Sequence, residues 1–420
     1  MREWRIAAIV FALAAAVFTA AGFLPGRVMI PLDLPRDTAA WKANPDERVV
    51  VSNKLLSDPM FAFYTWDREA RRQLARGEFP WRNVWAADGA HLFANPEAAL
   101  LFPLTWIRIA LGDRGWALYC FLKLFLAGLG MWWLARVATG CDWRSALVAG
   151  LAYMASGYMT VWLLWSHTNI YAMLPGLAAS AISLARAPSP RWAAATIALA
   201  ALTTAGGHPE TLFYGVLGIA LFIAITERRL WLTATCALIG FALLAVQLVP
   251  FAKAAAECDL LAQRRNHPER FARIAAIPAT LLPGYLGSPL AGEIDLTPLV
   301  PHDRGENFNE RNSAYAGLAA LIVVLAAWRR VPRAALAIAF AALLLSWHLP
   351  LLRVVERIPP LSFGASSRLS LVFPFFVTMC LGAALDGLSC HPERSEGPGW
   401  EGLRAARAPR PLATLGVTRG

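Results

Sequence analysis

The chain reads as an all-α integral membrane protein, on three observations. It is 57% hydrophobic and only 16% charged, with a mean hydropathy of +0.47 over 420 residues, too apolar for an ordinary soluble globule. Several apolar runs approach the roughly 20 residues a helix needs to cross a bilayer. Arginines sit in the short turns between those runs, as in Arg228–Arg229 and Arg329–Arg330. Inside lipid, every backbone N–H and C=O must be satisfied within the segment or by protein, so such runs are helices. The net charge of +11 is therefore read as membrane topology rather than nucleic-acid binding, because no single basic stripe forms.

Residues 1–24 hold the first span, Ile6 to Leu24, behind Arg2 and Arg5. The small residues Thr19 to Gly22 resemble a signal-peptide cleavage site, but the apolar run is long for one, so a retained helix is expected. Residues 25–112 form a large extracytoplasmic loop with an amphipathic helix around "DREARRQLARGEF". Its last stretch, 98–112, is short and marked by proline, and reads as interfacial or re-entrant. A helical bundle occupies 113–252, with spans expected near 115–136, 145–165, 168–185, 192–206, 209–226 and 230–251. A second outer loop at 253–311 precedes C-terminal spans within 312–388, near 312–328, 334–349 and 369–388, making ten in all. The tail, 389–420, is rich in Gly, Pro and Arg and is expected to be disordered. It resembles a translated dispersed DNA repeat rather than native sequence, so an interrupted reading frame is expected.

Loop charge supports this parity with the N-terminus in the cytoplasm. The inner turns carry Arg136 and Arg144, Arg186 and Arg191, Arg228 and Arg229, then Arg329, Arg330 and Arg333; the outer turns Ser166–His167 and Gly206–His208 carry no Lys or Arg. Polar groups then gather on the outer side: Asp58, Asn95, Glu97, His167, Asn169, His208, Glu210, Glu306, Glu310 and Arg368. Lys123 and Gln247 fall inside spans, where a polar group is a functional hint. Lys123 is placed near enough to the outer face to snorkel.

Familiar soluble-enzyme signatures are missing: no phosphate loop, no HExxH and no DxD, Glu293-x-Asp295 being the nearest acidic pair. The six cysteines form no CxxC, so neither a disulfide framework nor a zinc site is expected. What remains is the outer constellation. Asp58 opens a segment with Tyr64, Trp66, Gly77, Pro80, Asn83 and Gly89, ending in Ala94-Asn95-Pro96-Glu97 with Pro103 beyond. Later come "GGHPETLFYG", "ENFNERNSAYAGLAAL" and "FGASSRLSLVFPF".

In order and spacing, these elements over residues 55–380 resemble the YfhO-like bacterial membrane proteins, of the GT-C class of glycosyltransferases. Glu97 and Glu210 stand where that family's pattern has Gln, Ala62 replaces a usual Gln, and the first Arg and the Pro of the Arg368 element are absent. Family members are usually longer, so a C-terminal truncation is expected. The resemblance implies a GT-C-like fold in a bacterial cytoplasmic membrane. It also implies sugar transfer from a polyprenyl-phosphate donor to an extracytoplasmic glycan or glycolipid acceptor. A catalytic base must take the acceptor's proton, and Asp58 matches that position; a helix cap before Pro59 is the alternative. Arg368 is the candidate partner of the leaving phosphate, or an interfacial arginine. His208 assists it at a helix start, or is only a start signal. Asn95, Glu97 and Glu210 are read as substrate-binding, with capping as the alternative for Asn95 and Glu97. No metal ligand or further cofactor is read, and the use of a divalent metal is left open, as is oligomeric state. The rivals are a lipid-linked-sugar transporter, which needs polar groups through the bilayer midplane, and an inactive remnant.

Overall fold

A computed structural model describes residues 2–38, 51, 53–86, 89–258, 274–285, 308–347 and 366–389. The structure is 75% helical with almost no sheet. Five helical stretches are long and apolar enough to cross a membrane: Arg2–Phe23, Thr105–Thr139, His167–Arg186, Pro209–Thr226 and Ser366–Leu388. A bent pair, Leu230–Ala242 with Ala245–Ala256, makes a sixth if taken as one span. The remaining expected spans are shorter helices. The tail beyond Ser389 and the residues Glu293, Asp295 and Glu306 lie outside the described residues.

Helix α1 (Arg2–Thr19) shows how the bundle closes. Ala7, Phe11 and Ala15 are buried on one face, while Ile9, Leu13 and Val17 stay exposed on the other. An apolar outward face on an apolar-cored bundle suits lipid rather than water. The glycines Gly128 and Gly150 receive the Phe11 ring, for a Cβ at either position would stand 2.7 and 2.5 Å from ring carbons. Small residues let membrane helices approach in this way.

In the outer region, α2 (Tyr64–Leu74) is followed by a two-residue hairpin ladder, β1 (Arg82–Asn83) against β2 (Ala90–His91). Next comes α3 (Thr105–Leu111), then α4 (Gly115–Thr139), the central helix of the bundle. The stretch 98–112, read as interfacial, thus contributes a separate short helix. Gly112 turns the chain with φ +63, and Gly115 packs so tightly on α3 that a Cβ would lie 2.5 Å from the Ile107 carbonyl oxygen.

Helix α5 (Trp143–Met154) stops well before the expected end at 165. The next residues meet another segment instead: Gly157 N–H donates to the Tyr315 carbonyl at 2.7 Å, and a Cβ there would overlap the Asn312 carbonyl oxygen at 2.0 Å. A single turn, α6 (Gly157–Val161), leads into irregular backbone before α7 (His167–Arg186), the most deeply buried helix. Then follow α8 (Pro190–Ala205), α9 (Pro209–Thr226), α10 (Leu230–Ala242) and α11 (Ala245–Ala256). The run 230–251 is accordingly not straight: α10 and α11 meet at 72°. Beyond the bend Gln247 is buried and donates to the Phe93 carbonyl at 3.1 Å, tying α11 to the outer region. The described chain closes with α12 (Phe308–Asn312), α13 (Leu318–Ala326), α14 (Arg333–Ser346) and α15 (Val372–Ser389).

Lys123 does not snorkel. It is fully buried on α4, donating to the carbonyls of Leu163 and Trp165 (3.2 Å) and to Thr168 Oγ1 (2.8 Å), beside the Tyr119 ring. The break between α6 and α7 leaves carbonyls without helical partners inside an apolar bundle, and the ammonium satisfies them. At the opposite end of the helices the basic turns meet: Arg136 pairs with Glu3 at 2.7 Å, and Arg186 pairs with Glu227 at 2.7 Å and donates to the Val137 carbonyl.

The outer region has its own ion pair. Arg108 Nε lies 3.0 Å from Asp67 Oδ2 and its Nη2 donates to Oδ1 at 3.1 Å, both residues being buried. Around them Ala70, Leu92, Phe93, Leu100 and Ile109 form a small apolar cluster. Burial pushes the Asp67 carboxyl up to about 6, outweighing the pull of Arg108. Because this lies above the ordinary 3.8, the folded chain holds the proton more tightly than the unfolded one. The stability it contributes is complete below about pH 4 and is lost as pH rises through about 6. Thermal unfolding in detergent should show Asp67→Asn flattening the wild-type decline across that window. An unchanged slope would assign the decline to another group.

Candidate functional site

Five of the outer-side polar groups, Asp58, Glu97, His167, Glu310 and Arg368, line one cavity of about 320 Å³. Its wall is drawn from segments far apart in the chain: Lys54, Ser57 and Asp58; Glu97; Trp162, Trp165 and His167; Glu310; and Arg368. Each is delivered by a distinct local device.

Asp58 follows the short turn Lys54–Leu56, and Pro59 opens the π-helical turn Pro59–Phe63 that runs into α2. The backbone of Asp58 is already helical, and its side chain makes no capping bond. Instead Oδ2 accepts the indole N–H of Trp165 at 3.2 Å. The capping alternative is thus not the geometry observed.

Glu97 sits in the 3-10 turn Pro96–Ala98, where Asn95 Oδ1 accepts the Glu97 N–H at 3.1 Å. Asn95 is therefore a turn cap, and it is not among the residues lining the cavity. The turn rests on the residues before α9. Gly207, at φ +94, lets the Pro96 carbonyl oxygen come within 2.1 Å of where a Cβ would stand. Only glycine fits there, both for the approach and for the backbone conformation. The approach brings Glu97 Oε1 to 3.7 Å from His208 Nε2.

His208 caps α9 and also faces the site. Its Nδ1 lies 3.1 Å from the Thr211 backbone nitrogen and 2.8 Å from Thr211 Oγ1, while Nε2 lies 2.9 Å from Arg368 Nη1. The Thr211 N–H donates to Nδ1, which is the bond that caps the helix, so the lone pair of a neutral ring is used there and Nε2 is left facing Arg368 and Glu97. Arg368, in the 3-10 turn Ser366–Leu371 that leads into α15, is also ion-paired through Nη1 with Glu210. Asp58, Glu97 and Arg368 thus face one cavity, with His208 and Glu210 standing beside the arginine and outside the lining. Glu210 orients the guanidinium and compensates its charge, which a glutamine could do only in part.

His167, an outer-face residue by sequence, is part of the cavity wall. The side chain is 3% exposed. Its ring stacks between Trp162 (centroids 4.4 Å apart, 4° between planes) and His208 (3.6 Å, 22°). Neither ring nitrogen has a hydrogen-bond partner among the described residues, and the same holds for Arg368 Nε. Sequence alone marks neither Trp165 nor Glu310 as a site residue. Their spacing carries no signal, since only the break after α6 and the turn of α12 bring them to the cavity.

A larger groove, about 1090 Å³, runs along α2 and includes Trp85. Its charges are largely engaged with one another: Arg72 bonds both oxygens of Glu69, Arg71 donates to the Ile109 carbonyl, and Arg108 holds Asp67. Trp81 and Trp85 are exposed and lie outside the lining of the smaller cavity; Trp85 Nε1 donates to Glu69 at 3.0 Å. The smaller cavity is the better candidate because the two His167 ring nitrogens and Arg368 Nε, on residues of its wall, are buried without a hydrogen-bond partner among the described residues. No cluster of three or more His, Cys, Asp or Glu suited to a metal ion occurs among the described residues.

Removing Arg368 takes the ion-paired guanidinium away from the Glu210 carboxylate in a half-buried site. Arg368→Met should lower stability by about 3 kcal/mol, and adding Glu210→Gln should restore a large part of it. A double-mutant cycle by thermal unfolding measures this, and strict additivity would show that the pair is energetically uncoupled.

Comparison of the chain with protein-family models, with curated proteins and with solved structures finds no match.

Proposed function

We propose that the protein is an integral membrane glycosyltransferase of GT-C type that moves a sugar from a polyprenyl-phosphate donor to an extracytoplasmic acceptor of the cell envelope. The observation that carries this reading is the meeting of Asp58, Glu97 and Arg368 at one polar cavity in an otherwise apolar helical bundle. The ten-span topology with an inside N-terminus in a bacterial cytoplasmic membrane, and the YfhO-like resemblance, belong to the same proposal.

The chemistry follows from the groups present. The acceptor hydroxyl attacks the anomeric carbon, forming the new C–O bond as the bond to the lipid phosphate breaks. Asp58 takes the hydroxyl proton. Its Oδ2 is held by Trp165, which fixes the carboxylate's direction. Arg368, oriented by its ion pair with Glu210, stabilises charge accumulating on the departing phosphate, and Glu97 helps to bind and align the substrate. The lipid tail lies along the bundle's apolar flank. A transporter reading draws no support from Lys123, whose donors are taken up by the backbone and Thr168.

Sugar transfer should be measured in membranes containing the chain and a labelled polyprenyl-phosphate-sugar pool. Asp58→Asn at equal expression should lose about 100-fold or more of the rate. Equal rates in both would remove Asp58 as the base, and movement of the glycolipid without bond formation would favour transport.

A further inference from the structure

Resting on that reading, we infer that the wall formed by Trp162, Trp165 and His167 is the subsite for the transferred sugar, and that His167 is a direct ligand of one of its hydroxyls. A neutral imidazole carries one N–H and one lone pair. In His167 both are buried and unpartnered among the described residues, although the ring itself is tightly clamped between Trp162 and His208. Burial of a polar group without a hydrogen bond is costly, and such groups await a partner in the adjoining space. That space is the cavity which Asp58, Glu97 and Arg368 also line.

The character of the cavity selects the partner. Three carboxylates, Asp58, Glu97 and Glu310, face it against two cations, Lys54 and Arg368. A phosphate would be repelled by this side of the cavity and drawn to Arg368. The carboxylates do not form a metal-ligating cluster. Hydroxyl groups suit them: each donates to a carboxylate and still accepts from an N–H. The two indoles of the same wall are almost wholly buried, Trp162 against the His167 ring and Trp165 edge-on to Trp162, so they hold the imidazole in place and leave the polar groups to meet the ligand. The arrangement divides the cavity into an anion end at Arg368 and a polyhydroxyl end at His167.

The clamp gives His167 discriminating power. An imidazole fixed on both faces cannot turn to follow a misplaced hydroxyl, and a site built to bond a hydroxyl rejects an analogue that lacks it.

The test is binding, read by thermal shift of the purified full chain in detergent. The probes are undecaprenyl phosphate without sugar and undecaprenyl-phosphate-linked glucose, mannose and N-acetylglucosamine. Wild type is expected to bind at least one glycosyl lipid more tightly than the bare lipid phosphate. His167→Phe should lose that advantage by about tenfold, the size of one hydrogen bond, while keeping its affinity for undecaprenyl phosphate. His167→Gln, which retains an N–H and an acceptor, should recover part of it and serves if the phenylalanine variant fails to fold. A series of monodeoxy sugars on the preferred lipid completes the test in wild type. One deoxy position should cost wild type about tenfold and cost the His167 variants nothing further. Equal sugar advantage in wild type and both variants overturns the inference and leaves the transferase reading standing. Absence of any sugar advantage in wild type overturns both.

Discussion

The structure turns on a buried ammonium. Between α6 and α7 the backbone leaves helical geometry inside an apolar bundle, a place where unpaired carbonyls are expensive. Lys123 reaches from α4 and takes the carbonyls of Leu163 and Trp165 together with Thr168 Oγ1. Thr168 in turn bonds the Trp162 and Trp165 carbonyls, at 3.0 and 3.1 Å. The break is thereby as firmly held as a helix. Its three outward products are Trp162, Trp165 and His167, which form one wall of the cavity. A residue that looks like an intramembrane functional charge thus acts as the anchor on which the site's geometry is built.

Close backbone approaches complete the assembly. Gly157 admits the segment around Asn312, and Gly207 admits the turn that carries Glu97. The first brings the helix bearing Glu310 toward Trp162, whose Nε1 donates to Ser313 Oγ at 2.9 Å. The second sets Glu97 beside His208. Polar contacts then lock the two sides: Tyr119 to Asn169, Asn169 to the Gly206 carbonyl, and Tyr158 with Thr211. In a medium where burial of apolar surface drives little helix association, such contacts and tight packing supply the specificity.

The outer region uses the same economy with different groups. Asp67 and Arg108 are far apart in sequence and neither stands out in it, yet their pair joins α2 to α3 beneath a small apolar cluster. Arg108 also lies over Trp116 and Tyr119 at the start of α4. The Lys123 ammonium lies over the same Tyr119 ring, 4.0 Å from its centroid. Tyr119 thus touches the cations of both the outer layer and the broken helix.

Much of the architecture was legible in composition and periodicity alone. An apolar content of 57% with many of the arginines in short turns between apolar runs points to a helical membrane protein, because no other backbone arrangement satisfies its own hydrogen bonds in lipid except a closed barrel. The outer grouping of Asp58, Glu97, His208, Glu210 and Arg368 was legible too, from the parity of the spans. Three matters were not. Apolarity marks a run as buried without saying whether it is straight, so the stop of α5, the bend between α10 and α11 and the fold-back of α3 appear only when segments pack. Asp58 and Asn95 are both good caps by type, and only their neighbours decide: one turns to Trp165, the other to its own backbone. His167 and Glu310 belong to a site because distant carbonyls, glycines and rings set them there. Local sequence determines which groups a segment offers; which of them remain unpartnered at a shared cavity is a property of tertiary packing, since a hydrogen bond made or missed depends on residues that lie elsewhere in the chain.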